Sequence, residues 1–322
     1  MLLAVTMGDP SGIGPELVLK AFRENLLQGD FLVIGDYEVL DYCNQLLKYE
    51  VKLNRMREMG PRAGGCLNVL DLGLLKKAAL QVGVVSRESG YAAYRYVEAA
   101  TKLALRGEIS GIVTLPMNKE STRLSFGHFT GHTELIAELC EETNYTMMLA
   151  SDKMVVTHVS THCSMAEAVA AVKKNRIIDV IRLTNAALKG YMENPRIAVA
   201  GLNPHAGENG SFGQEEIREI QPAVEITKGE GVNVEGPIAP DTVFLKAHRK
   251  IYDAVVCMYH DQGHIPLKLL DFEGGVNVTL GLKVVRTSVD HGTAFDIAYK
   301  GVASTRSLVE AFDFARKMLG VR

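Results

Sequence analysis

Short apolar, β-branched runs alternate with longer stretches of helical periodicity along the whole chain, and nothing else in the sequence constrains the fold as strongly. Runs at 2–7, 31–35, 111–114, 153–158, 196–200, 253–257 and 276–280 read as strands, and 15–27, 88–106, 131–141, 164–188 and 304–319 read as helices. Strands separated by helices join through crossovers rather than hairpins, so the expected class is α/β with a largely parallel sheet. At 322 residues the chain suffices for two such domains or one large unit. No repeat, low-complexity linker or shift in composition marks a boundary.

Local signals sharpen parts of this pattern. Ser164 followed by Glu167 is a capping box, and Met165, Ala168, Val169 and Val172 predict a buried face behind it. Pro222 inside a helical stretch predicts a kink or a new start. The short basic run at 173–176 reads as a solvated helix face.

Composition excludes several function classes. With 47% hydrophobic residues and 23% charged, the chain is too apolar for a disordered one. A net charge of −3 carries no basic surplus for a nucleic-acid surface. No apolar run nears the ~18 residues of a membrane span, and Met1–Met7 lacks a basic n-region and reads as a strand. Five scattered cysteines without a CxxC pair fit free thiols in a reducing cytoplasm.

The first strand runs into Gly8-Asp9-Pro10-Ser11-Gly12-Ile13-Gly14-Pro15-Glu16-Leu17. Gly12 and Gly14 suggest a dinucleotide turn, and Asp36 stands near the place of a ribose-binding acid. However, Leu17 replaces the third glycine and no Lys-Ser or Lys-Thr follows. Pro15 reads better as a first helical residue, with Glu16 complementing the helix end. A tight structural or active-site turn is the better reading of this loop.

Polar residues concentrate in four later clusters: 160–163, 201–208, 259–263 and 286–294. His162, His205 and His260 each follow a strand at a comparable offset, on the edge where open α/β sheets bind ligands. Three imidazoles with an open position would hold a late divalent metal such as zinc. The spacing equally admits histidines that cap turns or make core hydrogen bonds. His132 and Thr133 open a helix and would suit an anion, unless Thr130 or Thr133 merely caps it. Lys268, Asn277 and Arg286 lie at nine-residue steps among apolar segments, and Lys and Arg suit phosphate or carboxylate. His158 reads as a core residue, His248 as surface, and His264 as a core or supporting residue behind His260.

Six motifs occur in order: the glycine-rich start at 7–16, GHTE at 131–134, NPHAGE at 203–208, Asp241-Thr242, YHDQG at 259–263 and RTSVDHGTA at 286–294. Together they resemble the 4-hydroxythreonine-4-phosphate dehydrogenase family of vitamin B6 biosynthesis, over essentially the whole chain. The resemblance implies a two-domain α/β/α sandwich like those of isocitrate and isopropylmalate dehydrogenases, here near 1–128 plus 287–322 and 129–286. It implies a homodimer with sites near the subunit interface, and metal ligands His162, His205 and His260 contributed across the dimer. Zinc is the first expectation for the metal, with magnesium, cobalt or manganese as alternates.

Substrate contacts are implied at His132, Thr133, Lys268, Asn277 and Arg286. Asp241 and Lys268 are the implied catalytic groups, Asp241 orienting a ligand or relaying a proton. The segment His291, Gly292, Thr293, Ala294 and Asp296 resembles an NAD loop, with NADP the alternative. The implied reaction is oxidation and decarboxylation of a 4-phosphorylated four-carbon 3-hydroxy acid.

Two stretches, 260–266 and 273–277, look closer to a sister branch that acts on 4-phospho-D-threonate or 4-phospho-D-erythronate in sugar-acid breakdown. A non-catalytic binder of a phosphorylated metabolite and a metallohydrolase are the competing functions. The loop at 291–294 argues against the hydrolase.

Overall fold

The computed structural model describes residues 1–272 and 274–321; Glu273 of the sister-branch stretch lies outside them. In chain order the elements are β1 (Leu3–Thr6), α1 (Gly14–Arg23), β2 (Phe31–Gly35), α2 (Tyr37–Leu47), β3 (Leu53–Met56), β4 (Leu67–Asp71), α3 (Arg87–Leu105), β5 (Gly111–Thr114), α4 (Lys119–Arg123), α5 (His132–Leu139), β6 (Thr146–Ala150), β7 (Val155–His158), α6 (Met165–Ala171), α7 (Lys174–Lys189), β8 (Ile197–Ala200), α8 (Gln221–Gly229), β9 (Val234–Ile238), α9 (Pro240–His248), β10 (Ala254–Cys257), α10 (His260–Leu270), β11 (Val276–Leu280), β12 (Val285–Val289) and α11 (Arg306–Met318).

Two compact units divide the chain, one of Met1–Thr143 with Leu282–Leu319 and one built on Asn144–Gly281. Division at these points, rather than at 128/129 and 286/287, places His132, Thr133 and Arg286 in the first unit. The reason is local: α5 packs on α3, and β12 pairs with β5.

In the first unit the strand order is β3-β4-β2-β1-β5-β12, with every pairing parallel. In the second it is β11-β6-β7-β10-β8-β9. Here β7, β10, β8 and β9 run parallel, while β6 and β11 are antiparallel additions. Alternate residues of β10 serve two cores. Ala254 and Val256 pack under Ile177, Ile181 and Leu188 of α7, while Val255 and Cys257 pack under Val243 of α9 and Leu267 of α10. Burial on both faces explains why this strand reads as an unbroken apolar run.

The capping box at Ser164 forms as expected, but the helix behind it stops at Ala171 and restarts at Lys174. Its apolar face is only partly buried. Ala168 and Val172 are inside, while Met165 is 58% and Val169 41% exposed. Pro222 stands in the first turn of α8, just after a π-helical turn over Glu216–Ile220. Strand β6, Thr146-Met147-Met148-Leu149-Ala150, is composed largely of good helix formers. Pairing on both sides, with β7 and β11, makes it a strand.

No helix among the described residues is long and apolar enough to cross a membrane. Cys43, Cys66, Cys140, Cys163 and Cys257 are all free thiols.

Candidate active site

In the first unit the glycine-rich turn serves the fold. A Cβ on Gly14 would stand on the Met7 carbonyl, and one on Gly12 would lie 2.8 Å from the Thr293 carbonyl oxygen. That carbonyl instead accepts from the Ile13 N–H at 3.1 Å. Glu16 is fully buried rather than a simple partner of the helix end: its Oε1 accepts from the Ala303 N–H at 2.8 Å. Lys20 donates to the Ala303 carbonyl, and the Tyr299 hydroxyl to the Pro10 carbonyl. Asp36 is also structural. It accepts from the N–H groups of Leu74 and Leu75 and from the Tyr96 hydroxyl, which leaves it no part in binding a ribose. Burial raises Asp9 to about 6.

This turn therefore holds the segment 291–303. Within it His291, Gly292 and Asp296 are exposed and Thr293 is buried. Ala294 takes a left-handed conformation at φ 42° and opens a short 3₁₀ turn.

His132, Thr133 and Arg286 lie in the same unit. No side chain caps α5; Gly131 is its N-cap, so neither Thr130 nor Thr133 performs that role. The first-turn N–H groups of such a helix suit an anion. The buried Nε2 of His132 has no hydrogen-bond partner among the described residues. Burial first, and the Arg286 guanidinium second, hold His132 down to about 3, so the ring is neutral. Arg286 is 3% exposed, and its Nε and Nη2 donate to Thr114 Oγ1 at 3.2 and 2.8 Å. Burial pulls its pKa to about 10, with Glu134 the opposing charge. A guanidinium presents a planar fork of donors that matches a carboxylate or phosphate.

In the second unit β7, β10 and β8 are neighbours with nearly level carboxyl ends. His162 follows β7, His260 follows β10 and His205 follows β8. The rings of His162 and His260 are 5.8 Å apart, centre to centre. Two imidazoles on one tetrahedral zinc, with Zn–N of about 2.0–2.1 Å, place their ring centres about 5–6 Å apart, so this pair fits a shared ion. His260 Nδ1 lies 2.7 Å from Asp261 Oδ1. A carboxylate only accepts, so Nδ1 carries the hydrogen and Nε2 is the donor atom left for a metal.

His205 stands in a different setting. His205, Ala206, Gly207, Glu208 and Asn209 form a left-handed turn, with φ of 53°, 53°, 77°, 42° and 54°. Each non-glycine residue in that region costs roughly 1–3 kcal/mol and needs support from its surroundings. Support comes from Glu216, 2% exposed, whose Oε1 accepts from the N–H groups of Leu202 and Asn203 at 2.8 and 2.7 Å. Its Oε2 accepts from Asn203 Nδ2 at 2.9 Å. Gln262 links this loop to the next, donating to the Gly201 carbonyl at 2.7 Å while its Oε1 accepts from the Met258 N–H at 2.7 Å.

His205 has the Phe212 ring as a neighbour, with ring centres 6.2 Å apart. Among the described residues no three His, Cys, Asp or Glu side chains gather as a metal group. Lys268 lies on α10 with Nζ 5.7 Å over the Phe272 ring. Asn277 sits on β11 with its Oδ1 buried and without a hydrogen-bond partner among the described residues. Asp241 is exposed in the first turn of α9.

Sequence reasoning missed Glu216 and gave Gln262 and Asp261 no role. Their only signal was position, beside a histidine or after a strand. His248 is exposed, as read from the sequence. His158 is fully buried and His264 is 6% exposed, also as read. Burial and the neighbouring His264 hold His158 down to about 3.

Two α/β units with polar residues gathered past their strand ends make up an α/β enzyme fold, and comparison with known proteins narrows it. Residues 28–315 match the family model described as pyridoxal phosphate biosynthetic protein PdxA. The chain is 46% identical to the D-threonate 4-phosphate dehydrogenase of Salmonella typhimurium, over 98% of both chains. It is 45% identical to the 4-hydroxythreonine-4-phosphate dehydrogenase of Beijerinckia indica, over 98% of this chain and 94% of that one. A crystal structure of 4-hydroxythreonine-4-phosphate dehydrogenase from Klebsiella pneumoniae superposes with a TM-score of 0.89 at 42% identity, covering 99% of each chain. A β-decarboxylating dehydrogenase from Thermococcus kodakarensis shares the fold alone, with a TM-score of 0.53 at 14% identity, covering 99% of this chain and 84% of that one. The chain belongs to the PdxA family and is a dehydrogenase, an oxidoreductase acting on a CH–OH group.

Proposed function

We propose that the enzyme oxidises the C3 hydroxyl of a 4-phosphorylated four-carbon 3-hydroxy acid with NAD and releases carbon dioxide from the product. The substrate first in line is 4-hydroxy-L-threonine 4-phosphate, as in pyridoxal phosphate biosynthesis. 4-Phospho-D-threonate and 4-phospho-D-erythronate stand second, because relatives of nearly equal identity carry the threonate name. The observation that carries the reading is the delivery of His162, His205 and His260 from the ends of three adjacent parallel strands.

Substrate contacts are assigned to His132, Thr133 and Arg286 in the first unit and to Lys268 and Asn277 in the second. The uncapped α5 and the buried guanidinium support phosphate or carboxylate binding in the first group. Oxidation moves the C3 hydride, with its electron pair, to the nicotinamide, and the hydroxyl proton to a base. The β-keto acid so formed then loses its carboxyl as carbon dioxide. Lys268 and Asp241 are assigned to proton handling. His291, Gly292, Thr293, Ala294 and Asp296 are assigned to NAD, with NADP the alternate. A bound divalent cation, zinc before magnesium, cobalt or manganese, would supply a Lewis acid for the C3 oxygen.

The third imidazole is assigned to a second copy of the chain. His162 and His260 pair within one chain, and no group of three gathers among the described residues, which supports a third imidazole from a second copy. The apolar surface of α10 supports the same homodimer. Ile265, Leu269 and Phe272, spaced four and three residues apart, are 63%, 85% and 74% exposed on the segment that carries His260 and Lys268. We place the enzyme in the cytoplasm, in keeping with its five free thiols.

The test is NADH absorbance with zinc-loaded enzyme on each of the three phosphorylated acids. Turnover with at least one of them, and with NAD in preference to NADP, supports the reading. No NADH from any of them, with ligand still bound, would instead make the chain a non-catalytic binder.

A further inference from the structure

His158, His264 and His260 form a column of imidazoles behind the strand ends. His158 is the last residue of β7 and is fully buried. Its Nδ1 lies 3.2 Å from the Met147 carbonyl oxygen, so that nitrogen carries the hydrogen and Nε2 accepts. His264 Nδ1 lies 3.2 Å from that Nε2 and 3.1 Å from the His260 carbonyl oxygen. Both neighbours are acceptors, so His264 Nδ1 also carries its hydrogen. The tautomers are thus fixed outward from the Met147 carbonyl.

The outer ring follows from the inner two. His264 and His260 stack face to face, with ring centres 3.6 Å apart and planes 13° from parallel. Gly263 permits the arrangement: a Cβ there would lie 2.7 Å from His158 Nε2 and 2.9 Å from Cys257 Sγ.

We propose that His264, locked by His158, is a positioning residue that sets the ring plane of His260. At 6% exposed and stacked on His260, it is assigned a role that acts through His260. Asp261 selects which nitrogen of His260 carries the hydrogen, and His264 selects where the other nitrogen points. A neutral ring stacked on an imidazole that shares charge with a cation is also favourable. The inference rests on the reading of His260 as a metal ligand.

The test measures affinity for zinc and for cobalt by chelator competition, together with the visible spectrum of the cobalt-loaded protein. The variants are H264L, H264F, H158N and H260A in the full chain. Removal of groups that orient metal-binding histidines typically costs 10–100-fold in affinity. H264L is expected to lose that much and to shift the cobalt bands, and H264F, which keeps a stacked ring, to lose less. H158N serves where H264L does not fold, and is expected to weaken affinity in the same direction. A purely structural role would lower the unfolding midpoint and leave affinity and spectrum of the folded protein unchanged. If H260A loses the metal while H264L and H158N bind it as the parent does, the positioning role is overturned alone. If H260A itself binds metal normally, the ligand reading has failed, and this inference with it.

Discussion

Gly8–Gly14 in the first unit and Asn203–Asn209 in the second both leave the carboxyl end of a parallel strand. The first loop is buried throughout, and its glycines Gly8, Gly12 and Gly14 sit where a Cβ would strike the Pro116, Thr293 and Met7 carbonyls in turn. In the second, non-glycine residues occupy the left-handed region, and His205 is exposed. Glycine in the first loop relieves a close approach. The left-handed residues of the second need the buried Glu216 to hold them. Glycine content therefore marks the loop that shapes a neighbouring segment, and backbone tension marks the loop that presents a side chain.

Breaking the second loop is expected to have the largest effect. H205A should abolish both metal uptake and NADH formation; metal content and turnover measured on the same sample check it. E216A should come next, since it leaves the N–H groups of Leu202 and Asn203 without their acceptor, at roughly 1–3 kcal/mol for each donor left unsatisfied. Its metal affinity should fall while its KM for NAD holds, and steady-state kinetics at fixed metal would show that split.

The opposite split is expected of G12A. Its new Cβ meets the Thr293 carbonyl, so stability should drop by about 1–3 kcal/mol and KM for NAD should rise with metal affinity unchanged. Equal damage to NAD and metal binding by either variant would dissolve the contrast between the two loops.

The smallest effect near neutral pH is a pH dependence in the first unit. His132 is held at about 3 in the folded protein against an ordinary 6.5, so folding favours its neutral form. Its contribution to stability is present above pH 6.5 and is lost as pH falls from 6.5 towards 3. H132N should flatten that slope by one proton, as read from urea unfolding at several pH values.

Much of this was legible in the sequence. The alternation of apolar runs gave seven strands close to their observed places, because strands buried on both faces, such as β10, leave a continuous signal. It did not reveal β6, whose methionines and leucine favour helix until two neighbouring strands pair with it. The buried face expected behind Ser164 was read from spacing alone, and spacing cannot tell a core from a surface awaiting a partner. That His162, His205 and His260 stand just past strand ends was legible, because the strands before them read as apolar runs. Glu216 and the His158–His264 lock were not, since their roles come from contacts between residues 13–14 and 106 positions apart.

The central claim is that one chain's His162 and His260 meet the His205 of a second copy around one ion. It is tested most directly by mixing subunits. H162A and H205A homodimers should each be inactive and free of metal. A heterodimer of one H162A and one H205A subunit should regain one metal ion and about half the parental turnover, because one complete set of three histidines survives. A heterodimer as inactive and metal-free as its parents would contradict the shared site.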